Sequence, residues 1–206
     1  KMYVVYKQGS GGRMKPYLQC QPDFSIVKNI HNGELTSIPE EVKELVKPDL
    51  NEARVDELLG YCVKISGQPW PEVERKILES HKIDIIVRYA KKFKPKGWPE
   101  AEPKILREGG VGDIVGYVKK CKPQGWPEAE PKILREGGVG DIIDYVKKCK
   151  PQGWPEAERK IAEDSYWSYI YARDILKCKR FRKGESAIAQ SAEWSYWCTK
   201  CVLKGE

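Results

Sequence analysis

The chain lacks long hydrophobic runs. Its 206 residues contain no stretch of 18 consecutive apolar side chains, which is about the minimum length of a helix that spans a bilayer. The short apolar segment near residue 1 is not followed by a small-residue cleavage site, so no secretory signal is predicted. These absences predict a cytoplasmic protein without a membrane partner.

Catalytic motifs are absent as well. The sequence has no H-E-x-x-H or G-x-S-x-G pattern, and its glycine-rich residues 9–12 lack the lysine of a phosphate-binding loop. His31 and His81 are the only two histidines, and they lie far apart in the chain. We therefore predict that the protein is not an enzyme and that it carries no cofactor.

The seven cysteines are an odd number with loose spacing, which does not indicate a disulfide framework. Such usage favours a reducing, intracellular environment. Cys198 and Cys201 form a C-x-x-C pair, with Cys178 upstream. A zinc site needs four ligands, and no second pair supplies them. We interpret these residues as structural cysteines and predict no metal site.

The net charge of +7 is unevenly placed. Residues 1–36 carry +3, residues 37–164 carry no net charge, and residues 165–206 carry +4. The excess of basic residues therefore lies at the two ends of the chain. A protein that binds nucleic acid along its whole length would show a more continuous basic footprint.

Internal repetition is the dominant feature of the sequence. Residues 98–125 and 126–153 differ only where Val115 becomes Ile143 and Gly116 becomes Asp144. A period of 28 residues relates three sets of positions, which are Trp70, Trp98, Trp126 and Trp154; Tyr61, Tyr89, Tyr117 and Tyr145; and Ile77, Ile105, Ile133 and Ile161. Such a period is typical of stacked repeats whose terminal copies diverge.

Each unit is predicted to form two short helices. The first begins near the proline after tryptophan and ends at a glycine in the left-handed conformation. Asp113 or Asp141 is expected to cap the second helix, whose apolar stripe includes Cys121 and Cys149 as core residues. The lysines that end this helix are expected to face the glutamate that opens the next one.

These patterns predict a mainly α fold, a short α-solenoid of 28-residue helix hairpins. Residues 37–206 form the repeat domain, and residues 1–36 form a small β-hairpin or extended arm on the first repeat. The units lie near residues 38–69, 70–97, 98–125, 126–153, 154–180 and 181–206. The repeated Trp and Tyr residues suit either ligand platforms or packing between repeats; we favour packing because they keep one position in each unit.

A basic stretch is the strongest polar feature. Six basic residues crowd around one aromatic ring, namely Arg173, Lys177, Lys179, Arg180, Phe181, Arg182 and Lys183. Basic side chains interleaved with an aromatic ring bind phosphate backbones. The same pattern also occurs where a helix ends in bases that compensate its dipole, and both interpretations stay open.

Three segments, "WPEAEPKIL", "SYIYARDILKCKRF" and "KGESAIAQSAEWSYWCTKCVLKGE", resemble the repeats of uncharacterised helical-repeat proteins of large tailed bacteriophages. The resemblance covers residues 70–206. It departs where Cys198 and Cys201 replace a tyrosine and an acidic residue, and where Arg182 and Lys183 replace Pro-Glu. The resemblance implies a phage-encoded protein in the host cytoplasm, and it transfers no catalytic residue.

The leading expectation is a non-enzymatic scaffold that binds a host or phage protein, such as a component of host defence or gene expression that it would inhibit. A first alternative is a nucleic-acid-binding protein that uses residues 173–183 and the N-terminal arm. A second alternative is a component of the virion or of its assembly.

Overall fold

The computed structural model describes residues 3–8, 14–20, 27–29 and 40–203. Within it the chain divides into two compact units, Lys1–Lys94 and Pro95–Glu206. The predicted boundary between an arm and a repeat domain, at residues 36 and 37, lies outside the described residues. That boundary stays a prediction.

Three short strands begin the first unit. They are β1 (Tyr3–Gln8), β2 (Met14–Cys20) and β3 (Val27–Asn29), paired antiparallel in the order β1-β2-β3. The segments between the strands lie outside the described residues. How this sheet packs on the first repeat therefore stays a prediction.

Helices make up most of the described chain, so the mainly α fold is confirmed. The first unit contains α1 (Glu40–Leu45), α2 (Val55–Gly60), α3 (Pro71–Glu79) and α4 (Ile83–Phe93). The second unit contains α5 (Glu102–Glu108), α6 (Val111–Cys121), α7 (Glu130–Glu136), α8 (Val139–Cys149), α9 (Glu158–Ile161), α10 (Ser165–Ile170), α11 (Glu185–Ala189) and α12 (Ala192–Leu203). Helices α2 and α10 each continue into a π-helical turn, Tyr61–Ser66 and Tyr171–Ile175.

The predicted left-handed glycines after the first helix of each unit are wrong. Gly109 and Gly137 have φ of −73° and −71° with extended ψ, because the chain reverses from one helix to the next within two extended residues. The left-handed glycines instead precede the repeated tryptophans, at Gly97, Gly125 and Gly153, with φ of 102° to 104°.

The predicted capping role of Asp113 also needs correction. Helix α6 begins two residues earlier, at Val111, so Asp113 lies inside its first turn. Its carboxylate accepts a hydrogen bond from the backbone N–H of Gly110 at 3.2 Å. The aspartate therefore satisfies an N-terminal donor from within the helix, as in the reciprocal half of a capping box.

A buried tyrosine hydroxyl joins the two halves of each of the four repeats that begin with Trp70, Trp98, Trp126 and Trp154. The Tyr145 hydroxyl accepts the backbone N–H of Trp126 at 3.0 Å and donates to Oε1 of Glu130 at 2.7 Å. Lys150 pairs with the same carboxylate at 2.9 Å. Each buried polar group thus has a partner, as burial requires.

The same set of contacts recurs in the other units. In the compact unit Pro95–Glu206, the other repeats join Tyr117 to Trp98 and Glu102, and Tyr171 to Trp154 and Glu158. In the first unit the same contacts join Tyr89 to Trp70 and Glu74. The repeated tyrosines at 89, 117 and 145 are fully buried, the tryptophans at 98, 126 and 154 are almost fully buried, and Trp70 is half-buried.

Aromatic rings join successive repeats of the second unit. The centroids of Tyr117 and Trp126 lie 5.4 Å apart, and those of Tyr145 and Trp154 lie 5.2 Å apart. Each tyrosine therefore packs on the tryptophan of the following repeat, at distances typical of attractive aromatic pairs.

The lysines do not pair as expected from the sequence. Lys122, which follows the last residue of α6, pairs with Glu102 of its own repeat at 2.8 Å. Lys119 instead reaches Asp144 of the following second helix, at 2.5 Å. Residue 144 is one of only two differences between the repeats 98–125 and 126–153. Aspartate at 144, where the preceding repeat has Gly116, therefore makes this ion pair possible.

A different lysine joins the first helices of successive units. Lys132 of α7 donates to the carbonyl oxygens of Leu106 and Gly109 at 2.9 and 2.8 Å. Lys160 of α9 donates to those of Leu134 and Gly137 at 3.1 and 2.7 Å. These contacts satisfy the carbonyls that every helix leaves without a partner at its C-terminal end.

We expect the folded state to lose stability above about pH 10. Burial raises the pKa of the Tyr171 hydroxyl to about 12, and it raises the pKa of Tyr117 and Tyr145 too. The unfolded chain releases these protons first, near pH 10, so stability is fully present below that pH and falls as the pH rises towards 12. Urea denaturation at pH 8 and pH 11.5 measures the difference. A free energy of unfolding that stays constant between these pH values would contradict the expectation.

Candidate binding surface at the last repeats

Most of the basic stretch is engaged in ion pairs or hydrogen bonds. Arg173 binds the Asp174 carboxylate, with Nε 2.5 Å from Oδ1, and Lys147 contacts the same carboxylate at 2.8 Å. The hydrogen bond from Arg173 is the largest cause that lowers the pKa of Asp174 to about 2. Lys177 donates to the carbonyl oxygen of Asp174 at 2.9 Å. Arg173 and Lys177 are therefore bound to Asp174 of the same stretch.

The remaining bases are divided between paired and open positions. Arg180 holds Glu185 with two hydrogen bonds of 2.6 and 2.9 Å, and Lys183 pairs with Glu158 at 2.8 Å. Lys179 and Arg182 are exposed, and neither forms an ion pair with a carboxylate in the described part of the chain. Two of the six predicted basic residues are thus open to a ligand.

Phe181 is not available to a ligand. It is only 4% exposed, and its ring centroid lies 4.9 Å from that of Tyr171. Phe181 takes the position that tryptophan holds in the other repeats. The aromatic member of the predicted nucleic-acid site is therefore a packing residue, and it cannot stack on a base.

Exposed aromatic side chains lie elsewhere, at the last helices of the second unit. Tyr166 of α10 is 40% exposed, and Tyr196 and Trp197 of α12 are 59% and 42% exposed. The Lys200 ammonium lies 5.7 and 5.1 Å from the ring centroids of Tyr196 and Trp197. We call Tyr196, Trp197 and Lys200 the terminal aromatic face.

Packing between α10 and α12 explains why this face is open. Trp194 of α12 stacks on Tyr169 of α10, with centroids 5.3 Å apart and planes 21° apart, so Tyr169 is buried. Among the described residues no helix covers α12 in the same way. Aligning "WSYIY" with "WSYWC" (residues 167–171 and 194–198) places Tyr196 in the position of Tyr169, which is the sequence signal that points to this face.

The structure pairs the cysteines differently from the C-x-x-C motif. Cys178 forms a disulfide with Cys201, with Cα atoms 5.5 Å apart, whereas Cys198 is a half-buried thiol. The expectation that the cysteines form no disulfide is therefore wrong at this position. No group of three histidine, cysteine or acidic residues that could hold a metal ion occurs within the described residues.

A small cleft lies in the first unit, with a volume of about 180 Å³. Its wall includes Tyr61 and Trp70, whose rings meet edge to face at 5.8 Å, and charged side chains of both signs from α1. This mixture favours neither anionic nor cationic ligands.

No described helix is both long enough and apolar enough to cross a bilayer. Comparison with protein-family models, characterised proteins and solved structures found no significant match.

Proposed function

We propose that the protein is a non-enzymatic scaffold that binds another protein through the terminal aromatic face. The observation that supports this proposal is the contrast in exposure between Trp98, which is buried, and Tyr196 and Trp197, which are open to solvent. Tyrosine and tryptophan are enriched among the residues that dominate binding energy at protein interfaces. An adjacent ammonium group, from Lys200, adds a polar contact at the edge of this apolar surface.

The repeats are proposed to stack as an α-solenoid. Two contacts support stacking, because each joins neighbouring repeats within Pro95–Glu206. They are the ring contact between Tyr117 and Trp126 and the hydrogen bond from Lys132 to the carbonyl oxygen of Leu106. Stacked repeats bury a continuous core and present an extended surface to a partner. In this proposal the middle repeats set the length of the scaffold, and the last helices make the specific contact.

The partner is proposed to be a host or phage protein in the host cytoplasm, of the kind found in host defence or gene expression. This part of the proposal rests on the resemblance of residues 70–206 to phage helical repeats. Inhibition of that partner would follow if the scaffold covered a surface that the partner uses.

We expect the double substitution Tyr196→Ser and Trp197→Ser to weaken binding of the partner at least about 30-fold, because truncating an interface aromatic costs about 2 kcal/mol or more. The partner is first captured from infected cells with the wild-type chain after nuclease treatment, and identified by mass spectrometry. Its dissociation constant is then measured by calorimetry with the purified proteins.

Leu45→Ser is the matched control, since Leu45 is an exposed apolar residue of α1 outside the terminal aromatic face. This variant should bind like the wild type, and circular dichroism should show that all variants are folded. Equal affinity of the double variant and the wild type would rule out the terminal aromatic face as the binding site.

Nucleic-acid binding remains the second candidate. Exposed Lys179 and Arg182, together with the ammonium of Lys200 above two exposed rings, combine basic and stacking groups as in proteins that bind single strands. This candidate predicts salt-sensitive binding of an oligonucleotide that Arg182→Glu weakens more than Arg180→Glu, because Arg180 is already held by Glu185. The third candidate, a virion component, predicts that the chain is found in purified phage particles.

A further inference from the structure

In Pro95–Glu206, ion pairs join the second helix of one repeat to the second helix of the next. Lys119 of α6 contacts Asp144 of α8 at 2.5 Å, and Lys147 of α8 contacts Asp174 after α10 at 2.8 Å. These side chains are partly exposed, so each ion pair adds little to stability. The internal joints are therefore reversible polar contacts at the surface.

The last joint is of a different chemical kind. Aligning Trp167 with Trp194, an offset of 27 residues, places Cys201 in the position of Asp174. Cys201 is covalently bound to Cys178, 23 residues earlier in the chain. A disulfide thus joins the last two repeats at the position where an ion pair joins the earlier repeats.

The backbone at this cross-link is held in an unfavourable conformation. Lys177 and Cys178 have φ of 56° and 62°, and two consecutive residues other than glycine seldom adopt the left-handed region. Such a conformation persists only where the surrounding structure enforces it. The covalent bond to α12 is one such constraint, and the hydrogen bond from the N–H of Cys178 to the carbonyl oxygen of Ala172, at 2.9 Å, is another.

A third cysteine lies one helical turn from the cross-link. Cys198 precedes Cys201 by three residues on α12, and it is half-buried. Burial raises the pKa of the Cys198 thiol, and nearby Glu185 raises it further. Because the thiolate is the attacking species in exchange, Cys198 is a poor nucleophile towards its neighbour, which favours the pairing of Cys178 with Cys201.

We propose that the Cys178–Cys201 disulfide is a redox-sensitive cross-link that fixes α12 on the preceding repeat, and that a dithiol reductant of the thioredoxin class opens it. One thiolate of the reductant attacks a sulfur of the cross-link, breaks the S–S bond and forms a mixed disulfide. The second thiol of the reductant then displaces the remaining cysteine. Two electrons and two protons pass to Cys178 and Cys201, and the reductant leaves as an intramolecular disulfide.

Opening the cross-link releases α12 from its covalent tie. The helix then keeps its contacts with α10 and α11, but without the covalent bond it opens to solvent more often along its length. Both cysteines are only half-buried, so the residues that carry the cross-link are partly open to solvent. This proposal concerns the order of α12 and does not depend on the proposed binding function.

Hydrogen exchange of the full chain tests the proposal, with and without reduction by a thioredoxin dithiol. Backbone amides of residues 192–203 should exchange at least about tenfold faster after reduction, in the wild type and in Cys198→Ser. Cys178→Ser should exchange rapidly under both conditions. Alkylation followed by peptide mapping should show one disulfide in the oxidised chain, between residues 178 and 201.

Three results would overturn the proposal. One is exchange in residues 192–203 that does not change on reduction of the wild type. Another is a Cys178→Ser variant as protected as the oxidised wild type. The third is a peptide map with a Cys198–Cys201 disulfide, or with none. The wild-type measurement stands by itself if the serine variant fails to fold.

Discussion

Replacing Gly137 with alanine is expected to lower the free energy of unfolding by about 3 kcal/mol, because added atoms in a well-packed site force the backbone to shift. A Cβ atom at this position would lie 2.5 Å from the carbonyl oxygen of Ile133 and 3.1 Å from Cγ1 of Val111. The first of these neighbours is backbone, so it cannot move aside as a flexible side chain does. The φ of −71° is ordinary for alanine, and the cost is therefore one of space alone.

The adjacent glycine provides a matched control. A Cβ atom at Gly138 would come no closer than 3.7 Å, to Oδ2 of Asp141, so Gly138→Ala should cost about 1 kcal/mol or less as a change at the first position before a helix. Urea denaturation followed by circular dichroism gives both values. Equal destabilisation by the two substitutions would show that the close approach of Gly137 to α7 is not what limits its side chain.

Replacing Tyr145 with phenylalanine is expected to lower the free energy of unfolding by about 2 kcal/mol, the cost of leaving buried polar groups without partners. The substitution keeps the ring and its contact with Trp154, but it removes the hydroxyl between the backbone N–H of Trp126 and the Glu130 carboxylate. The N–H of Trp126 then has no acceptor in a site that excludes water.

Tyr196→Phe serves as the control for this experiment. Tyr196 is 59% exposed, so water replaces any partner of its hydroxyl, and stability should change by no more than about 0.5 kcal/mol. Denaturation at pH 7 gives both values. A Tyr145→Phe variant as stable as the wild type would mean that the Tyr–Trp–Glu contact does not hold the two helices together.

Periodicity explains which parts of the fold were predictable. A residue that recurs every 28 positions occupies equivalent sites, so the recurrence of Trp126 and Tyr145 predicts a repeated helical unit with aromatic packing. Periodicity does not reveal which hydrogen bonds these residues form. The link from the Tyr145 hydroxyl to Trp126, 19 residues earlier, depends on how the two helices cross.

Glycine roles and disulfide pairing were harder to predict for separate reasons. Glycine adopts extended and left-handed backbone with similar ease, so the sequence alone did not separate Gly109 from Gly125. The odd number and loose spacing of the cysteines predicted no disulfide, whereas the fold brings Cys178 to Cys201. Pairing over 23 residues is a property of the tertiary structure, and local spacing does not encode it.

The basic stretch shows a third kind of limit. Counting charges in residues 173–183 predicts a strong positive surface, but the count does not include the acids that the fold brings close. Glu158 lies 25 residues before Lys183 in the sequence and 2.8 Å from it in space. In the described part of the chain, carboxylates pair with Arg173, Arg180 and Lys183, so half of the six bases do not contribute the positive surface that the sequence assigned to all of them.

The bonds from Lys132 and Lys160 to the preceding unit are made to backbone carbonyls and not to side chains. Every helix has such carbonyls at its end, whatever its sequence. A repeat with lysine at this position can therefore bind the helix end of any preceding repeat without a matching substitution in that repeat. Copying a repeat almost letter for letter, as in residues 98–153, then adds a joint that needs no compensating substitution, so the number of repeats can change by single duplications.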